Sequence, residues 1–390
     1  MLYDAMIMEM DAFFRQDSEK DFISFLSKSN NFYFMELFAR VPSTPPKILE
    51  KIAECETDEI RWPIAENPNT PSRVLDEYAK VESTHVRYCV AQNPSTSKNT
   101  LKNLVSENEF DYVLLAYVAK NPNTPKSTLE ILAKSEYVEV RMAVAKQPNT
   151  PSIVLERLAL DEDINVRACV AENPKTPKWL LDKLADENYE VIRERIAKNP
   201  NARKGTLLKI YKDSNVYIES ILAANPNTPE ALFKVLSESK DLEVLINLAG
   251  NPHISVFIAQ DLLHNRNILV PIEVAKNPVM DQGTLCKLSK ISEAHIRESV
   301  AQNPSTPVSI LENLAKDISR NVRLSVAKNI NTPEKTLKML ALEDCDDVIC
   351  RAAIRNPNIP LSVLKSITHN ECRDKRYTAK EALDKRRCND

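Results

Sequence analysis

The sequence predicts an all-α fold: a right-handed α-solenoid (superhelix) of about thirteen two-helix repeats, each of roughly 26 residues. Three observations predict it. A five-residue phrase recurs in register, apolar stripes of helical period flank each copy, and strand-type alternation is absent.

The phrase is Asn-Pro-Asn-Thr-Pro and its variants. Its first proline stands at Pro42, Pro68, Pro94, Pro122, Pro148, Pro174, Pro200, Pro226, Pro252, Pro278 and Pro304. Ile330 takes the place once, and Pro357 closes the series. The step is 26 residues except for 28 between Pro94 and Pro122 and 27 between Ile330 and Pro357.

The first helix follows the phrase. Seven residues after the proline stands leucine in eleven of thirteen copies, Leu155 and Leu181 among them, with Phe233 and Ala259 as the exceptions. Ten residues after it the position is apolar throughout, so each copy carries one helical stripe. Thr70-Pro71, Thr124-Pro125, Thr150-Pro151, Thr306-Pro307 and their equivalents read as an N-cap hydroxyl before a first-turn proline.

The second helix precedes the phrase and reads Val-Arg-x-x-Val-Ala-x-Asn, as in Val86 to Asn93 and Val166 to Asn173. Its apolar positions form a face of about two turns. The proline that follows holds the asparagine extended, so the helix stops there. Neither helix buries its stripe alone, so successive repeats must stack.

The whole unit, Val-Arg-x-x-Val-Ala-x-Asn-Pro-x-Thr-Pro-x-x-x-Leu-x-x-Leu-Ala, resembles the leucine-rich repeat variant family, with fuller, HEAT-like short helices. The resemblance covers residues 40 to 368 and implies a bacterial solenoid of alternating helices without β-sheet. A cysteine cluster for an iron–sulfur centre precedes the repeats in one relative. No cysteine precedes Cys55 here, and no cofactor is expected.

Three regions are expected. Residues 1–40, with seven of the ten phenylalanines, read as a helical cap; 41–368 carry the repeats; 369–390 read as a charged terminal helix and tail. Thirteen layers at helix-packing distance imply an arc of about 100–130 Å. Eight scattered cysteines without Cys-x-x-Cys spacing, an N-terminus carrying Asp4, Glu9 and Asp11, and no long apolar run point to a cytoplasmic protein with no membrane contact. A net charge of −3 argues against a dedicated nucleic-acid binder.

Enzyme chemistry has no foothold in the sequence. Gly205, Gly250 and Gly283, the three glycines, assemble no phosphate-binding loop. The histidines His85, His253, His264, His295 and His369 share no metal-ligand spacing.

Two constellations recur. Arg61, Arg87, Arg141, Arg167, Arg193, Arg297 and Arg323 share one position of the second helix, often with acids before them. They read as a structural ion-pair ladder, or alternatively as an anion-binding comb. On the face turned from the core lie Trp62, Tyr88 and Met142 beside Lys120, Lys146, Lys198, Lys276 and Lys328. Apolar anchors among lysines read as a protein-binding ridge; partial cover by neighbouring repeats is the plainer alternative. The ladder arginine is lost at Glu219, Leu245 and Pro271, a stretch in which all three glycines also fall. The expected function is a monomeric, non-enzymatic scaffold for a protein or peptide. A nucleic-acid-binding or DNA-repair-related solenoid with a Lys/Arg stripe is the alternative.

Overall fold

The computed structural model describes residues 32–54 and 57–387. Of the expected cap only its last helix, Phe32–Arg40, falls within them; the rest of it, Cys55 and Cys388 lie outside. Among the described residues there are 27 helices and no strand. A seven-residue helix such as Ser152–Leu158 alternates with a nine-residue helix such as Ile164–Glu172.

Helices this short are not stable in isolation, so packing must hold them. The recurring leucines do so from one side: Leu49, Leu155, Leu181 and Leu311 are all fully buried, as are Phe233 and Ala259 in the two exceptional copies. The nine-residue helix contributes Val166, Val170 and Ala171 and their equivalents, also fully buried. Each large aliphatic side chain so placed contributes about 1.5–3 kcal/mol.

The five-residue phrase does more than punctuate. Its asparagine is extended (φ −65°, ψ 124° at Asn173), as the following proline requires, and its side chain is buried. Asn173 Nδ2 donates to the carbonyls of Ala145 and Gln147 in the preceding repeat, and its Oδ1 accepts from the Lys175 N–H. The same three bonds recur at Asn67, Asn93, Asn121, Asn199, Asn251, Asn277, Asn303, Asn329 and Asn356. Gln147 substitutes once, reaching Ala119 and Asn121. A buried amide spine thus ties each of these repeats to the one before it. A second, outer rail comes from the phrase's third residue, as Asn69 to the Pro42 carbonyl and Asn149 to that of Pro122.

The threonines are not N-caps, contrary to the sequence expectation. The capping position belongs to the proline after them, Pro151 for instance, in extended geometry and with no side-chain bond to give. The threonine one residue earlier is buried and turns its hydroxyl backward: Thr150 donates to the Val144 carbonyl at 2.6 Å and Thr306 to that of Val300 at 2.6 Å. It satisfies the last turn of the preceding helix. Where the proline is replaced by Ser97, Ser255 or Asp281, that side chain caps the helix instead. Where the threonine is replaced by Ala202, Ile254 or Met280, an apolar group fills the buried slot.

The chain forms two compact units, through Ala202 and from Arg203. Within each, the nine-residue helices of successive repeats lie directly against one another, and the seven-residue helices form a second, more loosely associated row. This is the consecutive packing of an α-solenoid. The two-residue insertion before Pro122 lengthens the outer helix to Lys98–Glu107, and the extra residue before Pro357 lengthens Glu334–Glu343.

Candidate binding face of the nine-residue helices

Arginine at the fourth position of the nine-residue helix sits in the wedge between two successive interhelical turns. Arg141 Nη1 donates to the carbonyls of Ser135 and Glu136, at the end of its own repeat's outer helix. Its Nε and Nη2 grip Asp161 of the next repeat at 2.7 and 3.0 Å. Arg297 repeats the arrangement with Ile291, Ser292 and Asp317, Arg323 with Asp317, Ile318 and Asp344, and Arg167 with Asp161, Glu162 and Glu187. The preceding acids therefore supply main-chain carbonyls, and the carboxylate comes from the following repeat. Arg87 keeps only the carbonyls of Val81 and Glu82, Arg193 bonds Asn188, and Arg61 meets Asp58 at 3.5 Å. Arg376 in the terminal helix makes the same carbonyl contacts, at Asn370 and Glu371, a member that spacing alone did not reveal.

The carboxylate has a second task. Asp161, Asp317 and Asp344 each accept the N–H two residues on, closing their own turn. In the copies that follow Leu115, Glu219 and Leu245 the equivalent residue is Ser135, Ser239 or Asn265, which still closes the turn but carries no charge. In these three copies arginine and acid are both absent.

The outward face of the nine-residue helices carries two columns of different character. Trp62, Tyr88 and Met142 are half-buried, where exposed anchors were expected. Successive helices lie close enough for these side chains to stack on their neighbours. The Arg40 guanidinium lies 4.1 Å from the Trp62 ring centroid, and the His85 ring meets Trp62 edge-on at 5.5 Å. Tyr88 donates to Asp111 at 3.1 Å and meets the Tyr117 ring edge-on. Burial first, then the Asp111 hydrogen bond, push the Tyr88 hydroxyl above its usual range.

The lysine column is outermost. Lys120, Lys146, Lys198 and Lys328 are exposed and Lys276 half-buried. Lys146 pairs with Glu172 at 3.4 Å, Lys198 with Glu194 at 2.7 Å and Lys276 with Glu273 at 2.7 Å. Lys120 lies 5.7 Å from the Tyr117 ring centroid. Arg195 adds a second cation to Glu172 at 3.6 Å. The column is thus a mixed-charge surface, and its acids, Glu172, Glu194 and Glu273, neutralise much of it locally.

Cys89 and Cys169 are buried in this row. Burial, then the charge of Glu66, push the Cys89 thiol up to about 12, and burial raises Cys169 likewise. Among the described residues no group of His, Cys, Asp and Glu is arranged to hold a metal ion, and no helix is long and apolar enough to cross a membrane.

No family model matches the chain, and no curated protein matches it. Among solved structures it is similar to a leucine-rich repeat variant described as having a novel repetitive structural motif, at 20% identity and a TM-score of 0.40, covering 57% of this chain and 87% of that one. It is also similar to importin beta, at 12% identity and a TM-score of 0.25, covering 90% of this chain and 50% of that one. The class is defined by the geometry above: a helical repeat protein, an α-solenoid with two helices per repeat.

Proposed function

We propose that the chain is a non-enzymatic repeat scaffold that binds a protein or peptide through the outward face of its nine-residue helices. The observation that supports this reading is the pairing within the lysine column. Lys146, Lys198 and Lys276, already matched by Glu172, Glu194 and Glu273, make a patterned, mixed-charge surface, which suits a polypeptide better than a polyanion. Half-exposed Trp62, Tyr88 and Met142 supply the apolar area that interface centres use.

The nucleic-acid reading requires the same lysines to release counterions from phosphate, which gives affinity a steep dependence on salt. Titration of the full chain with a fluorescent DNA duplex, from low to physiological salt, separates the two. Weak binding with little effect of Lys120→Gln, Lys146→Gln and Lys198→Gln supports the polypeptide reading. Tight binding whose salt slope those substitutions flatten overturns it.

A further inference from the structure

From Asn251 to Asn356 the junctions between repeats are tied by the amide spine, with the arginine ladder added at Arg297 and Arg323. The last junction has neither. There the helix Arg373–Arg387 lies against Asp347–Arg355 and Leu361–Ile367. Cys350 stands at the ladder position of Asp347–Arg355, and Asn370 stands where the acid follows. Asn370 Oδ1 closes its turn on the Cys372 N–H but carries no charge. Aligned on Arg376, Ala382 takes the place of the spine asparagine, and the helix runs on past it.

Apolar burial does not make up the difference. In the same alignment, Lys375, Ala379 and Lys380 stand where Val166, Val170 and Ala171 are buried, and of the helix's described side chains only Thr378 and Ala379 are buried. Its ion pairs to the last repeat, Arg355 with Glu381 at 3.3 Å and Arg351 with Asp374 at 3.8 Å, lie at the surface, where such pairs contribute little. One turn beyond Ala382, however, Arg386 reaches back to the final phrase. Its Nη1 donates to the Ile359 carbonyl at 2.9 Å, and its Nη2 to those of Asn356 at 3.3 Å and Pro357 at 2.6 Å. The Asn356 carbonyl is the acceptor that a spine amide takes elsewhere, as Asn356 takes that of Asn329. The Pro357 carbonyl is the acceptor of the outer rail, as Ile330 is for Asn358. A single guanidinium does the work of two side chains.

We infer that Arg386 is a latch. It holds the terminal helix in the place of a further repeat, and the helix opens as a unit when the guanidinium lets go. Opening leaves the preceding repeats folded, because each contacts only its neighbours. It uncovers the carbonyls of Asn356, Pro357 and Ile359 at the end of the spine, together with the face of the last repeat that the helix covers. The device does not depend on the scaffold reading.

The test is native-state hydrogen exchange of the full chain. In the wild type, amides of Arg373–Arg387 should exchange through one shared opening, at lower denaturant than those of Asp347–Arg355. Arg386→Ala should accelerate the whole helix, Thr378 and Ala379 included, roughly tenfold or more, the value of a hydrogen bond from a charged group. Arg320–Lys328 should be unchanged. Arg386→Lys keeps the charge but loses the planar fork, and should recover little of the protection. Lys385→Ala removes the neighbouring pair with Glu381 and should change exchange by about twofold or less. The latch is refuted by wild-type protection in Arg386→Ala or Arg386→Lys, or by an equal loss in Lys385→Ala. Acceleration confined to the last turn of the helix, or spreading to Arg320–Lys328, refutes it as well.

Discussion

At the scale of single residues, stability resides in side chains that serve the neighbouring repeat. Asn173→Ala removes both donors from the Ala145 and Gln147 carbonyls and the acceptor from the Lys175 N–H. Orphaned buried polar groups cost about 1–3 kcal/mol each, so a loss of about 3 kcal/mol is expected in urea unfolding. An effect below about 1 kcal/mol would mean that water replaces the spine. The ladder acids add a dependence on pH. Burial alone would raise the Asp317 carboxyl; the Arg297 hydrogen bond, the Ser319 N–H and the charges of Arg297 and Arg323 outweigh it and hold it below its usual range. A depressed carboxylate contributes stability that is fully present above its unfolded value, near pH 4, and is lost as pH falls through the lower folded value. Urea midpoints of the wild type should therefore fall more steeply in acid than those of Asp317→Asn, which is less stable at neutral pH to begin with. Parallel curves would show that the pair contributes no linkage.

Among the elements, the apolar stripes were legible because their period is local. Leu155 stands within one helical turn of Leu158, as Leu181 does of Leu184, and Leu155 and Leu181 are fully buried. Either Leu→Ala should cost about 2–5 kcal/mol. Because units contact only their neighbours, hydrogen exchange should accelerate mainly in that repeat and the two beside it; uniform acceleration along the chain would argue for one cooperative core. The polar positions were less legible because their partners lie about one repeat away. Asn173 marks a local helix end in the sequence, yet its amide donates 26 and 28 residues back. The acids before Arg141 looked like its partners, yet the carboxylate it grips lies 20 residues ahead. Thr150-Pro151 matched the N-cap pattern, but burial of the threonine left its hydroxyl only the carbonyl six residues behind. The half-burial of Trp62 and Tyr88 depends on the spacing of successive helices, which a single-repeat pattern does not encode.

Across the molecule, two rails run through the repeats with different continuity. In the unit from Arg203 the amide spine is made at Asn251, Asn277, Asn303, Asn329 and Asn356. The arginine rail is present only in its second half, at Arg297 and Arg323, and is replaced by Glu219, Leu245 and Pro271 in the first. The weakened signature of residues 200–285 therefore leaves the helices in place and removes one of two inter-repeat ties. A unit whose neighbours are coupled by fewer bonds opens at lower free energy, and native-state hydrogen exchange reads that opening directly. Amides in Leu242–Gly250 and Leu269–Lys276 should exchange faster, at equal denaturant, than those in Ala294–Gln302 and Arg320–Lys328. Leu245→Arg combined with Asn265→Asp reinstates the pair, since Asn265 already holds the turn position that Asp161 and Asp317 occupy elsewhere. That variant should slow exchange in Leu242–Gly250 and leave Arg320–Lys328 unchanged. Equal protection along the wild-type unit would show that the amide spine alone sets the coupling and that the arginine rail adds nothing to it.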